Sequence, residues 1–290
     1  MIADYHGITT PFEPETYRQQ VLETAMEFLA AGLEPKKNLL IRQSQVPQHT
    51  ELAWIFNTIT PVSWLDRLPT YKEQLEKNPK YNNMGLLDYP ILMASDILIY
   101  KSNLVPVGED QLPHIDLTNE VLKKFNSMFG ETFEPVKAYL SAGARIMSLQ
   151  EPAKKMSKTG DEGIALTDSP DEIRGKIKKA VTDSGKEILY DEEKKPAISN
   201  LMTIYALLDP AIKNLKQIEQ KYQGKTYVDF KNDLTEVIIE FLKPFQKKYS
   251  EFKNNLDEVE KILTQGEEKA GKLAQETLEE VKQKIGVLSR

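Results

Sequence analysis

Hydrophobic positions follow two regimes along the chain. Up to about residue 165, short apolar runs alternate with helical periodicity. Leu39-Leu40-Ile41, beside a turn signal at Glu34-Pro35, predicts a buried strand, and Leu104-Val105-Pro106-Val107 before Gly108 predicts another. Residues 144–149 read as strand-like too. Val21, Ala25, Phe28 and Leu29 share one side of a helix over 16–31 that stops at Gly32, and Ile115, Val121, Leu122 and Phe125 do the same over 115–129. This alternation predicts an α/β fold with a parallel sheet.

Beyond residue 165 only helical spacing remains. Ser169-Pro170-Asp171-Glu172 is a capping box with proline at the first helical position, opening a helix that runs to Val181. Leu234, Val237, Ile238, Phe241, Leu242 and Phe245 repeat at helical spacing, with Pro244 expected to kink or shorten that helix. Ala270, Leu273, Ala274, Leu278, Val281 and Ile285 form a last amphipathic stripe. The pattern divides the chain into an α/β part, 1–165, and a helical part, 166–290.

Composition narrows the chemistry. With no cysteine among 290 residues, disulfides, thiolate zinc sites and a cysteine nucleophile are excluded, and three histidines give a histidine metal site little to build on, so no metal ligands are assigned. The most apolar stretch, 90–107, is broken by Asp96 and Lys101, and no basic leader opens the chain, so a soluble cytoplasmic protein without a membrane partner is expected. A net charge of −6 means that a polyanion must be held by a local patch. Arg174, Lys176, Lys178 and Lys179 offer one, although a solvated helix face explains them equally well.

Three segments carry chemistry. Lys154-Lys155-Met156-Ser157-Lys158-Thr159-Gly160 places two lysines three apart among small residues, a cationic loop able to close on triphosphate oxygens; a solvated lysine cluster is the plain alternative. In Val105-Pro106-Val107-Gly108-Glu109-Asp110-Gln111 polar side chains follow a strand end, where α/β sheets bind ligands. Gly108 permits close approach, and Asp110 and Gln111 offer an acceptor and an amide to an ammonium, carboxylate or ribose; a turn before a helix cap is the alternative. In Gly85-Leu86-Leu87-Asp88-Tyr89-Pro90-Ile91-Leu92-Met93-Ala94-Ser95-Asp96, Pro90 is expected to start a helix, with Asp88 favouring its N-terminus and Met93 and Asp96 on one face. A carboxylate among apolar residues needs a partner, either an internal donor or a ligand N–H such as that of indole.

These strings resemble known ones. The lysine loop is similar to the K-M-S-K-S signature of class I aminoacyl-tRNA synthetases, and Gly108-Glu109-Asp110-Gln111 and the Asp88–Asp96 block resemble the bacterial-type tryptophanyl-tRNA synthetases. Asp4-Tyr5-His6-Gly7-Ile8-Thr9, Gln43-Ser44-Gln45-Val46-Pro47-Gln48-His49, Ala180-Val181-Thr182-Asp183-Ser184 and Pro196-Ala197-Ile198-Ser199-Asn200-Leu201 extend the resemblance along nearly the whole chain. It implies a Rossmann-like catalytic domain over 1–165 and a helical anticodon-binding domain over 166–290. It also implies ATP-dependent activation of L-tryptophan, transfer to tRNA(Trp), Mg²⁺ on the phosphates, and a homodimer.

By the same resemblance His6, Tyr89, Met93, Asp96, Val107 and Gln111 line the tryptophan pocket, with Asp96 receiving the indole N–H. Gly108, Asp110, Ile146, Lys155, Met156, Ser157 and Lys158 bind ATP, and Lys155 and Lys158 act on the pyrophosphate. Three departures stand against it. Tyr71-Lys72-Glu73-Gln74 replaces the family's F-K-x-K, Ala197 replaces a common glycine, and no P-S-G-x-x-H-x-G-N stretch is present. Met1 to His6 are read as the end of a buried strand, so the chain is expected to begin inside its first domain, about one βα unit of ~30 residues short, and to activate tryptophan poorly as it stands. A tyrosyl-type synthetase and a non-catalytic nucleotide- or tRNA-binding relative are the rival readings.

Overall fold

The computed structural model describes residues 1–77, 79–140, 146–156 and 162–287. In chain order it contains α1 (Asp4–Gly7), α2 (Pro14–Ala30), α3 (Gln48–Ile59), α4 (Val62–Asp66), α5 (Pro69–Lys77), α6 (Met84–Leu98), β1 (Leu104–Val107), α7 (Leu112–Phe129) and β2 (Lys137–Leu140). It continues with α8 (Pro170–Lys179), α9 (Pro196–Leu208), α10 (Leu215–Lys221), α11 (Tyr227–Lys253) and α12 (Leu256–Ile285). The expected parallel pairing is present: β1 and β2 run side by side from Leu104↔Lys137 to Val107↔Leu140.

The other strand expectations contract to single bridges. Ile2 pairs with Arg42 in parallel, its N–H donating to the Ile41 carbonyl at 2.7 Å and its carbonyl accepting from the Gln43 N–H at 2.9 Å. Neither Leu39–Ile41 nor the opening residues form a longer strand. Asp4 already starts α1, and its carboxylate accepts from the Ser44 N–H at 2.9 Å, which turns the chain away from pairing. Among the described residues 146–149, Met147 makes one antiparallel bridge to Lys155; residues 144 and 145 lie outside the described residues.

Local chemistry sets most helix ends. The Ser169 capping box is formed, the Ser169 hydroxyl accepting from the Glu172 N–H at 3.3 Å while Glu172 accepts from the Ser169 N–H at 2.7 Å. The start of α6 departs from expectation. Asn83 is its N-cap, accepting from the Leu86 N–H at 2.9 Å, so the helix begins at Met84 and Pro90 lies inside it. A competent cap at Asn83, seven residues before the proline, outweighs the single backbone bond that the proline removes. Pro244 likewise lies inside α11, which continues to Lys253 rather than stopping.

The compact units are Met1–Ser141 with Phe252–Arg290, and Ala142–Glu251, which differs from the division at residue 165. The described residues 146–156 and 162–165 group with the helices that follow them, and α12 groups with the first unit. There Ala270, Ala274, Leu278 and Val281 join a core containing Phe56, Leu98, Leu122 and Phe125. Gly266 lets α12 approach the chain at Leu40, whose carbonyl oxygen stands 2.2 Å from where a Cβ would sit. Arg42 adds charge-assisted bonds to Glu267 at 2.7 and 3.1 Å and to Glu260 at 2.9 Å. The second unit has its own core around Ile173, Ile198, Leu201, Tyr205, Phe230 and Leu234. Among the described residues no helix is long and apolar enough to cross a membrane.

Candidate active site

A cleft of about 800 Å³ opens in the first unit, and His6, Tyr89, Met93, Asp96, Val107 and Gln111 all line it. Helical geometry explains half of that set: Tyr89, Met93 and Asp96 are spaced four and three apart on α6 and so share a face. His6 comes from α1, Val107 from the end of β1, and Gln111 from the single 3₁₀ turn that follows it.

Asp96 already holds internal partners. Its Oδ1 accepts from His49 Nδ1 at 2.6 Å and its Oδ2 from His6 Nε2 at 2.8 Å, while Gln43 Nε2 donates to both oxygens at 2.8 and 2.9 Å. Burial pushes this carboxyl up, but the hydrogen bonds from His49 and His6 outweigh it and hold Asp96 below the usual carboxylate range. Burial and the Asp96 charge push the Tyr100 hydroxyl well up, so it stays protonated and donates to His49 Nε2 at 2.8 Å. That leaves the Nδ1 proton of His49 aimed at Asp96. Gln43 and His49 are fully buried, whereas the His6 side chain is 20% exposed, so His6 is the partner on the open side.

Tyr89 is held in a similar way. Its hydroxyl lies 3.0 Å from His114 Nε2, which also meets Thr70 Oγ1 at 3.1 Å. Burial holds His114 below its ordinary pKa and so favours the neutral ring, whose Nδ1 is buried without a partner. Asp88 does not cap the helix as expected; it sits inside α6, accepts from Asn57 Nδ2 at 2.8 Å, and is pushed up by burial.

Sequence reasoning missed Gln43, His49, Tyr100 and His114 as parts of this site. A signal was available, because the chain has three histidines and all three meet here. Gly108 follows the strand as expected, and a Cβ there would stand 2.6 Å from Asp110 Oδ1. Asp110 in turn accepts from Gln111 Nε2 at 2.6 Å.

In the second unit, Ile146, Lys155 and Met156 come together. The Met156 N–H donates to the Ile146 carbonyl at 3.0 Å, and the Lys155 side chain is exposed. Ser157 and Lys158 lie outside the described residues. The candidate RNA patch is partly neutralised, since Arg174 pairs with Asp171 and Glu236 at 3.2 Å each and Lys176 with Asp168 at 2.6 Å.

The sequence pattern of the family described as tRNA synthetases class I (W and Y) matches residues 1–243. The tryptophan–tRNA ligase of Caldanaerobacter subterraneus subsp. tengcongensis is 44% identical over 293 residues, covering 100% of this chain and 88% of its own. That of Helicobacter pylori strain 26695 is 43% identical over 291 residues, covering 99% and 88%. The crystal structure of Campylobacter jejuni tryptophanyl-tRNA synthetase, complexed with ADP and tryptophan, superposes with a TM-score of 0.87 at 32% identity, covering 98% of this chain and 88% of that one. The tyrosyl-tRNA synthetase of Aeropyrum pernix, at 19% identity and a TM-score of 0.59, shares the fold.

Proposed function

The chain belongs to the class I tRNA synthetases (W and Y), and from its full-length likeness to tryptophan–tRNA ligases we infer that it is one. It uses ATP to activate L-tryptophan and transfers the product to tRNA(Trp). In the first step a tryptophan carboxylate oxygen bonds to the α-phosphorus as the bond to the β-phosphate oxygen breaks, giving tryptophanyl-adenylate and pyrophosphate. In the second a ribose hydroxyl of tRNA attacks the acyl carbon and AMP leaves. The substrate supplies the nucleophile, so the protein contributes positioning and charge stabilisation.

The cleft carries the residue assignments. Asp96 is an ionised acceptor in a nearly dry wall, bonded from behind by Gln43 and His49, and on the open side by the more exposed His6. We assign it the indole N–H. Met93 and Val107 supply apolar walls, and His6, Tyr89 and Gln111 the polar ones. A buried acceptor rejects ligands that bring it no donor, and the full-length likeness to tryptophan–tRNA ligases favours the indole N–H over a phenol O–H as that donor.

For ATP we assign Gly108 and Asp110, the backbone and side chains of Ile146 and Met156 against adenine, and Lys155 with Ser157 and Lys158 on the phosphates. Mg²⁺ would ride on those phosphates, because it keeps its waters and favours phosphate oxygens. Among the described residues no group of three or more His, Cys, Asp or Glu side chains could hold a metal ion.

Further proposals are that helices beyond residue 165 hold the anticodon arm, that the enzyme works in the cytoplasm, and that it is a homodimer. ATP–pyrophosphate exchange measured with each amino acid tests the central reading. Exchange stimulated by tryptophan is expected; stimulation by tyrosine and not tryptophan would overturn it.

A further inference from the structure

Helix α9 is mostly buried, with Ile198, Leu201, Met202, Ile204 and Tyr205 in the second core and Ala197 buried beside them. One amide stands among them. Asn200 is 6% exposed, and both ends of its carboxamide go to a single residue of the chain, Met147. Its Oδ1 accepts from the Met147 N–H at 2.9 Å, and its Nδ2 donates to the Met147 carbonyl at 2.8 Å. That two-way pairing fixes the orientation of the amide and imitates one residue of a neighbouring β-strand.

Met147 is also the residue bridged to Lys155. On either side of that bridge the Met156 N–H donates to the Ile146 carbonyl at 3.0 Å and the Ser148 N–H to the Lys154 carbonyl at 2.8 Å. Asn200 therefore stands where a third strand would run, and through Met147 it sets the position of the Lys155 backbone against the core. Lys155 itself has an exposed side chain and no packing to locate it. The amide satisfies both peptide groups of Met147, and in doing so it fixes a register between α9 and the segment that carries Lys155.

We propose that Asn200 is a positioning residue for Lys155 in tryptophan activation. The proposal rests on the reading that Lys155 acts on the triphosphate. Asn200→Ala removes both bonds to Met147, and Asn200→Asp keeps the shape and the acceptor but loses the donor, so either variant serves if the other does not fold. Pyrophosphate exchange at saturating ATP and tryptophan, measured below each variant's melting temperature, should show kcat reduced by ~10- to 100-fold. Tryptophan affinity by calorimetry should be unchanged, because its proposed contacts lie in the first unit.

Lys155→Ala and the double variant complete the cycle. If Asn200 acts through Lys155, the double variant is no slower than Lys155→Ala alone. Independent, additive losses would overturn the proposal, as would a folded Asn200 variant with unchanged kcat. If Lys155→Ala itself leaves kcat intact, the underlying reading of Lys155 fails and takes the proposal with it, a result distinct from a fast Asn200 variant beside a slow Lys155 one.

Discussion

The cleft of the first unit and the Lys155 segment of the second are held by different kinds of bond. Around Asp96 the bonds run from side chain to side chain: Gln43, His49 and His6 converge on one carboxylate, and Tyr100 holds His49 from behind. Around Lys155 they run from peptide to peptide. Ile146, Ser148 and Leu149 bond to backbone groups of Met156, Lys154, Glu162 and Val181, with Asn200 completing the set at Met147 and the Ser148 hydroxyl accepting from the Gln150 and Glu151 N–H groups. The difference suits the tasks proposed. Choosing one amino acid needs an acceptor of fixed charge and direction, which only side chains supply. Delivering a lysine to phosphates needs a placed backbone and a free-ended cation.

If that contrast holds, the largest loss comes from Asp96→Ala. It strands His49 and Gln43 without their buried acceptor, so unfolding stability should fall by ~3–5 kcal/mol. Tryptophan affinity, read by calorimetry, should fall by a further ~1.5–3 kcal/mol. Unchanged affinity in a folded Asp96→Ala or Asp96→Asn protein would break the pocket assignment.

Lys155→Ala should show the opposite profile. Its side chain is exposed, so the melting curve should barely move, while kcat drops by ~10²–10³-fold, the scale of losing one preorganised charge-stabilising donor. A variant with only a raised KM for ATP would remove the distinction between the two regions.

A smaller effect follows pH. Burial holds His114 below its ordinary value of 6.5, so the unfolded chain takes up that proton first. The associated stability is complete above 6.5 and declines as pH falls from there through the folded-state pKa. Asp96, held below the ordinary 3.8, adds a second decline only under that value. Thermal melts between about pH 8 and pH 5 should show the first decline in the native chain and a flatter curve in His114→Gln; identical slopes would show that His114 does not titrate as argued.

The smallest effect sharpens the comparison as a control. Ser169→Ala should cost the second unit ~1 kcal/mol through the lost cap of α8, visible in denaturant unfolding, with kcat unchanged. A fall in kcat would mean that the Lys155 segment depends on α8 rather than on its own peptide bonds.

Much of this was legible in the chain itself. The pair Met93 and Asp96 follows from helical spacing alone, the Ser169 box from four consecutive residues, and the β1 turn at Gly108 from a strand end meeting glycine; Tyr89 joins that face only because α6 starts at Met84. Each depends on backbone geometry that neighbours within a few residues impose. The start of α6 was misjudged because Pro90 is a strong local signal and Asn83 a more effective one, and only their competition in the folded chain decides between them.

What the sequence determined by itself, then, is the faces of its helices and the order of its motif strings. Tertiary structure alone decided what those faces meet. Asp96 finds Gln43 and His49 across 53 and 47 residues, and Met147 finds Asn200 across 53. The α12 stripe joins the first core although it follows the second in the chain. A periodic stripe says that a face will be buried but not against what, because burial is non-directional, whereas hydrogen-bond partners are chosen only once packing has brought distant donors and acceptors within ~3 Å.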